Sequence, residues 1–232
     1  MKVISWNCNG ALRKKFHYLE QFDADVLIIQ ECENPAPCKS SEYVTWAKNY
    51  LWHGLNKNSG LGVFAKENIT LYKLDWPSDT FELFLPFRID SDLHFIAVWT
   101  KQANSPTFQY IGQFWKYLQL NKALIASTQP VICGDFNSNK IWDKWDRWWN
   151  HSDVINELSE LGIESLYHTF YSQEQGLEKD ATFYLHRNLE KPYHIDYAFL
   201  PKNLLPKASV SVGLQTEWFA VSDHMPLLIK ID

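Results

Sequence analysis

The chain has 232 residues, 46% of them hydrophobic and 21% charged, a size and composition that fit one globular domain and exclude a disordered chain. Twenty-two lysines and arginines against 27 aspartates and glutamates leave a net charge of −5, so no global positive field serves a polyanionic partner, and any nucleic-acid contact has to be local. Cys8, Cys32, Cys38 and Cys133 form no C-x-x-C pair, which argues against a zinc knuckle or a thioredoxin-like centre and predicts buried free thiols.

Residues 3–6 begin a strand. Phe16, Leu19 and Phe22 at helical spacing predict a helix over 12–22, and the apolar run DVLIIQ (25–30) a buried strand ending at Glu31. GLGVFA (60–65), 81–89 and LHFIAVWT (93–100) have the branched and aromatic content of strands, with Asn, Gly, Pro and Asp between them. Tyr110, Ile111, Phe114, Trp115, Leu118 and Leu124 line one side of a long helix over 107–126, after which Pro130 opens the strand VICGD. A shorter helix over 152–161, capped by Ser152 or Asp153, turns Ile155, Leu158 and Leu161 inward. Further strands are predicted at 181–185, 194–200, 208–212 and 225–231. No linker, charge block or internal repeat divides the sequence, so a single domain over 1–232 is expected. Strands joined in places by helices and in places by hairpins imply an α/β (α+β) fold of two mixed sheets packed face to face with helices outside. No run of 18 apolar residues occurs and MKVISWNCNG is not an apolar leader. A cytoplasmic monomer with no membrane segment is expected, although export without a leader would leave the same sequence.

Polar residues fall where these strands end: Asn7 after VISW, Glu31 after LIIQ, Asp135 and Asn137 around VICGD, Asp196 in HIDYAFL, and Asp223 with His224 before MPLLIKI. Any one alone is ordinarily a solvated strand end. Five such places holding only Asn, Asp, Glu and His suggest a site. Glu31 suits a hard divalent cation such as Mg²⁺, which takes oxygen ligands and few carboxylates. Residues two apart on an extended chain face the same way, so Asp135 is expected beside Asn137 and His194 beside Asp196. An amide can donate to a phosphoryl oxygen while a neighbouring carboxylate holds or polarises a water. A carboxylate accepting from one nitrogen of His224 would leave the other a competent base, the part expected of Asp196.

SWNCNG, LIIQE, SGLGVF, GDFNS, HIDYAFL and SDHMPL, in that order from residue 2 to residue 231, resemble the endonuclease/exonuclease/phosphatase superfamily. The resemblance implies a four-layer αββα sandwich that hydrolyses phosphoester bonds with Mg²⁺ or Mn²⁺. It gives Glu31 the part of principal metal ligand, with Asn9 and Asp223 near the metal. Asn7 and Asn137 become the amides at the scissile phosphate or the metal's waters. Asp135 becomes the residue that orients the attacking water or stabilises the transition state, and His224 with Asp196 the His-Asp pair. Whether His224 takes the water proton or binds the phosphoryl group stays open. One position departs from the pattern: where nucleases commonly place His or Tyr for the leaving group, this chain has Trp99, whose indole cannot act as a general acid near neutral pH. Either a metal-bound water or Lys101 assists the leaving group, or the alignment slips and Trp99 is core.

The segment IWDKWDRWWN follows GDFNSNK directly. Read as a helix, it puts Trp142, Trp145 and Trp149 on one face beside Lys144 and Arg147, either as a stacking surface for bases or as a face packed on a sheet. Arg13, Lys14 and Lys15 either approach a phosphate or form a solvated face. The expected activity is nuclease-type phosphodiester hydrolysis with nucleic acid as substrate. A phosphatase or phospholipase-like esterase, or a binding module that has lost turnover, remain alternatives. Glu31→Ala and His224→Ala are each expected to lower kcat severely and leave the melting curve nearly unchanged.

Overall fold

A computed structural model describes residues 1–103 and 105–232. In chain order its strands are β1 (Lys2–Asn7), β2 (Val26–Cys32), β3 (Tyr50–Asn56), β4 (Ser59–Ala65), β5 (Leu71–Lys73), β6 (Phe84–Ile89), β7 (His94–Trp99), β8 (Val131–Asp135), β9 (Ile163–Ser165), β10 (Phe183–Tyr184), β11 (Pro192–Tyr193), β12 (Asp196–Pro201), β13 (Ala208–Val212) and β14 (Leu227–Ile231). The helices are α1 (His17–Glu20), α2 (Ser41–Trp46), α3 (Ile111–Thr128), α4 (His151–Glu160), α5 (Leu166–Tyr171) and α6 (Gln215–Trp218). One six-stranded sheet has the order β13-β14-β1-β2-β4-β3 and the other β5-β6-β7-β8-β12-β9, with β10 and β11 forming a separate hairpin. Both sheets are mixed: β1 runs parallel to β2 and antiparallel to β14, and β7 parallel to β8 while β8 and β12 are antiparallel.

Strand alternation builds the layers. Val3, Ile28 and Val63 from one sheet meet Phe95, Ala97, Val131, Cys133 and Ala198 from the other in the central core. Their alternates Ile96, Val98, Ile132, Tyr197 and Phe199 pack outward against Phe114, Leu118, Ile125, Val154 and Leu158 of α3 and α4. On the opposite side Ile4, Trp6 and Ile29 pack on Leu19, Tyr43 and Trp218 of α1, α2 and α6. This is the expected αββα order, each sheet burying both faces. All four cysteines are free, three of them buried. No helix among the described residues is long and apolar enough to cross a membrane.

Three local expectations are corrected. The helix over 12–22 is a 3₁₀ turn (Leu12–Lys14) followed by the four-residue α1, because Ala11 turns left-handed at φ 54° and Lys15 leaves helical geometry. The cap of α4 is Asn150, with Asp153 returning a bond to the Asn150 backbone, rather than Ser152 or Asp153. The tryptophan segment is not a helix: after a single 3₁₀ turn (Lys140–Trp142), Asp143 is extended and the chain runs irregularly to Asn150. Trp142, Trp145 and Trp149 therefore share no face. Trp149 is buried against Phe108 and Gly112, and Trp145 is exposed.

Gly134 sets how closely β8 approaches β7. Its φ is 151°, and a Cβ there would lie 1.8 Å from the carbonyl oxygen of Val98. Gly134→Ala is expected to cost about 3 kcal/mol in urea unfolding, from an impossible contact added to backbone strain. Gly10 provides the contrast: at φ 69° with nothing within 4 Å of the added Cβ, Gly10→Ala should cost only the left-handed penalty of about 1 kcal/mol. Equal losses would show that the Val98 contact is not what selects glycine.

Candidate active site

The same alternation that fills the core brings the polar groups together. Asn7 follows Val3 and Ser5 on the inner face of β1, Asp135 follows Val131 and Cys133 on β8, and Asp196 precedes Ala198 and Leu200 on β12. All three emerge between the sheets at one end, and all three are buried. Glu31 arrives by another device. The β2–β4 register jumps from Gln30↔Leu61 to Cys32↔Gly60, and the intervening Glu31 adopts φ 62°. A bulge re-aims one side chain, and a non-glycine residue held left-handed there is a strained position of the kind that clusters at active sites.

The Asn7 amide joins the two sheets. Its Nδ2 donates to Glu31 Oε1 at 3.1 Å and to Asp135 Oδ2 at 2.9 Å, and its Oδ1 accepts from the Asn9 backbone N–H at 3.0 Å. Asp135 also accepts from the backbone N–H of Asn137 at 2.8 Å and from Asn137 Nδ2 at 2.9 Å. Asn137 adopts φ 45°, so it meets Asp135 through a left-handed turn and not through strand alternation. Both amides spend their N–H groups internally, Asn137 donating its other to the Thr100 carbonyl at 3.1 Å, and either must release a carboxylate or carbonyl to bind a phosphoryl oxygen. His224 Nδ1 lies 2.9 Å from Asp196 Oδ2. At the rim Asn9 Nδ2 donates to Asp223 Oδ1 at 2.7 Å.

Ligating atoms of Asp135, Asp196 and His224 lie within 4.8 Å of one another. Burial pushes the Asp135 carboxyl up, and Asp196 beside it adds to the effect, to about 7. Burial alone would lower His224, but Asp196 and Asp135 outweigh it and raise the imidazole to about 9. Asp196 Oδ1 is buried with no hydrogen-bond partner among the described residues. The carboxylates of Glu31 and Asp135, bonded to one Asn7 amide, with the orphaned Asp196 oxygen beside Asp135, form an oxygen donor set that fits a hard divalent cation.

A family model described as the Endonuclease/Exonuclease/phosphatase family matches residues 4–224. The chain belongs to this family. Its members generally depend on a divalent metal, and this chain is a hydrolase acting on phosphoesters. The fold is similar to an AP endonuclease from Archaeoglobus fulgidus (19% identity, TM-score 0.71, 100% of this chain and 99% of that one). It is also similar to a 3′ phosphatase from Neisseria bound to product DNA hairpin (17%, 0.68, 100% and 99%) and to the catalytic domain of Xenopus laevis APE2 (16%, 0.68, 100% and 91%). No curated protein matches the sequence.

Other predicted residues of this family member lie at the margin. Trp99 pairs in register with Asp135 but turns into the central core, and the Lys101 ammonium stands 4.2 Å from its ring centroid. Arg13 is paired with Glu33, and Lys15 Nζ donates to the Cys8 carbonyl at 2.6 Å, supporting the turn that carries Asn9. Residues the sequence reading passed over hold the site in shape. Ser222 Oγ donates to the Asn7 carbonyl and accepts the His224 N–H, while Thr182 Oγ1 accepts from the N–H groups of Ile195 and Asp196. Phe183 lies against the imidazole of His224, ring centroids 4.6 Å apart. Ser222 stood inside SDHMPL, but Thr182 and Phe183 carried no signal beyond short β-rich sequence.

His194 does not share the site with Asp196. Its Nδ1 meets the Asp180 carbonyl at 2.7 Å in a buried polar layer beneath the site, where Asn139 Nδ2 donates to Glu178, to the His194 carbonyl and to Tyr197 Oη. His151 belongs to this layer, contacting Ser138 and Gln175, and burial lowers its pKa to about 4. The unfolded chain would bind a proton near pH 6.5 that the folded chain refuses until about pH 4, so stability falls as pH drops through that window. Between pH 7.5 and 5 this amounts to about 2 kcal/mol. Urea unfolding of His151→Gln should lose about that much less than the parent over the same interval, and an equal loss in both proteins would disprove the assignment.

Proposed function

We propose that this family member is a Mg²⁺- or Mn²⁺-dependent phosphodiesterase of the nuclease type, a single domain acting as a monomer on nucleic acid. The observation that carries the reading is the Asn7 amide bonded to Glu31 and Asp135, with the Asp196–His224 pair alongside. Glu31 would hold the cation, Asn9 and Asp223 standing at its rim, and a divalent ion there supplies charge neutralisation at the phosphoryl oxygens. Asp196 holds Nδ1 of His224 and leaves Nε2 for the substrate. With two carboxylates keeping the ring cationic, Nε2–H donates to a phosphoryl oxygen. Asp135 then accepts the proton of the in-line water, held in place by Asn7 and Asn137. Lys101 is the one predicted cation near the register position of Trp99 and offers the leaving oxygen electrostatic help, while Trp99 itself serves packing.

The likeness to proteins described as acting on DNA supports a nucleic-acid substrate. Incubation with single- and double-stranded DNA, RNA and a chromogenic phosphodiester should give EDTA-sensitive, Mg²⁺-restored cleavage. Oligonucleotide hydrolysis should weaken steeply with salt as counterions are released, and the small diester only slightly. Cleavage of small phosphomonoesters alone, with no salt dependence, would overturn the nuclease reading.

A further inference from the structure

Every exposed tryptophan among the described residues falls in one stretch: Trp142 (43% exposed), Trp145 (98%) and Trp148 (64%). Indoles left in water are an unusual use of the residue, which normally buries its large apolar surface. The stretch is also held in place. Asn150 Oδ1 accepts from the Lys144 N–H and from Arg147 Nε, and its Nδ2 donates to the carbonyls of Lys144 and Arg147. Arg147 donates on to the Trp142 carbonyl at 3.2 Å. The rings thus stand on a clamped turn whose ordering cost is met within the fold, a preorganised display.

A row of rings leads from the reaction centre to the turn. From His224 the rings of Phe183 (4.6 Å), Tyr193 (a further 6.5 Å) and Trp142 (a further 5.1 Å) follow one another outward. Lys140 and Lys144 are exposed on the same turn against one exposed carboxylate, Asp146, while the carboxylate of Asp143 is held by the His151 and Ser152 backbone N–H groups of α4. Exposed aromatic faces interleaved with cations, on a protein of net charge −5, make a local surface suited to bases and phosphates without a basic groove.

We propose that this clamped turn is a stacking platform for unpaired nucleotides flanking the scissile phosphate, with Trp145 and Trp148 stacking bases while Lys140 and Lys144 meet their phosphates. The proposal rests on the nuclease reading and specifies the strand state of its substrate. Base stacking of this type corresponds to about five- to 150-fold in affinity per base.

The test measures binding of a labelled single-stranded oligonucleotide of about ten nucleotides, in a Glu31→Gln background that slows turnover by about 10²–10³. Trp145→Ala should raise Kd by about tenfold and the Trp145→Ala/Trp148→Ala pair by about a hundredfold. Trp145→Tyr should recover most of the loss, and unchanged melting temperatures would exclude misfolding as the cause. Binding of a blunt duplex should change less than about threefold. Unchanged single-strand Kd in both variants, or equal loss on the blunt duplex, would overturn the platform while leaving the nuclease reading in place. A parent protein that cleaves the chromogenic diester but neither DNA nor RNA would instead remove the nuclease reading, and the platform with it.

Discussion

Glu31→Gln should lower kcat by about 10²–10³ without destabilising the protein, the range expected when one preorganised charge is removed from a reaction centre. The side chain is only half-buried, and its one protein hydrogen bond among the described residues is accepted from Asn7 at 3.1 Å, a contact the glutamine oxygen can keep. Removing its charge also relieves repulsion with Asp135 across the same amide. The backbone sharpens the prediction. At φ 62° any L-residue is strained, so Glu31→Gly should be equally inactive yet more stable than the parent by about 1 kcal/mol. Stability gained on losing activity is the signature of strain kept for function. Mg²⁺ should raise the parent's melting temperature by mass action and leave that of Glu31→Gln almost unmoved. A Glu31→Gln protein that turns over like the parent, or that is equally stabilised by Mg²⁺, would remove Glu31 from the reaction.

Much of this centre was legible because strand alternation is a local rule. VISWN, VICGD and DYAFL each place a polar residue in phase with inward apolar ones, so Asn7, Asp135 and Asp196 face the cleft between sheets for the same reason that Val3, Cys133 and Ala198 fill it. Where the rule breaks, sequence pattern misleads. The apolar run DVLIIQ ends the strand at Glu31, whereas β2 continues to Cys32, and nothing in LIIQEC signals the bulge that turns the Glu31 carboxylate toward Asn7. Asn137 was expected on the face of Asp135 by period two and arrives there through a left-handed turn. His194 obeys the period less than it obeys the Asp180 carbonyl and the buried layer around Tyr197. Trp142, Trp145 and Trp149 have helical spacing, yet the side chains of Asp143 and Asn150 satisfy backbone groups on the turn and on α4, and no helix forms. Side chains that compete for backbone partners over a distance of several residues cannot be weighed from spacing alone.

His224→Ala should abolish measurable turnover, a fall of about 10³ or more, and in this it differs from Glu31→Gln by also destabilising the fold. From the sequence, His224→Ala and Glu31→Ala alike are expected to leave the melting curve nearly unchanged. The structure instead buries His224 against Phe183 and makes it the only hydrogen-bond partner of either side-chain oxygen of Asp196 among the described residues. Without the imidazole, Asp196 is an uncompensated buried charge beside Asp135, and breaking such a pair costs roughly 3–5 kcal/mol. Asp196→Asn in the His224→Ala background removes that charge and should recover a large part of the lost stability while recovering no activity. Asp196→Asn alone keeps the shape but removes the negative charge that holds the imidazole cationic and allows an amide N–H, in place of an acceptor, to face Nδ1, so kcat should fall by about 10²–10⁴ with KM little changed. Because the two residues act as one unit, the double variant should be no slower than His224→Ala alone. Rate losses that simply multiply, or a double variant no more stable than His224→Ala, would mean that Asp196 and His224 serve the reaction separately and that their 2.9 Å contact is incidental to it.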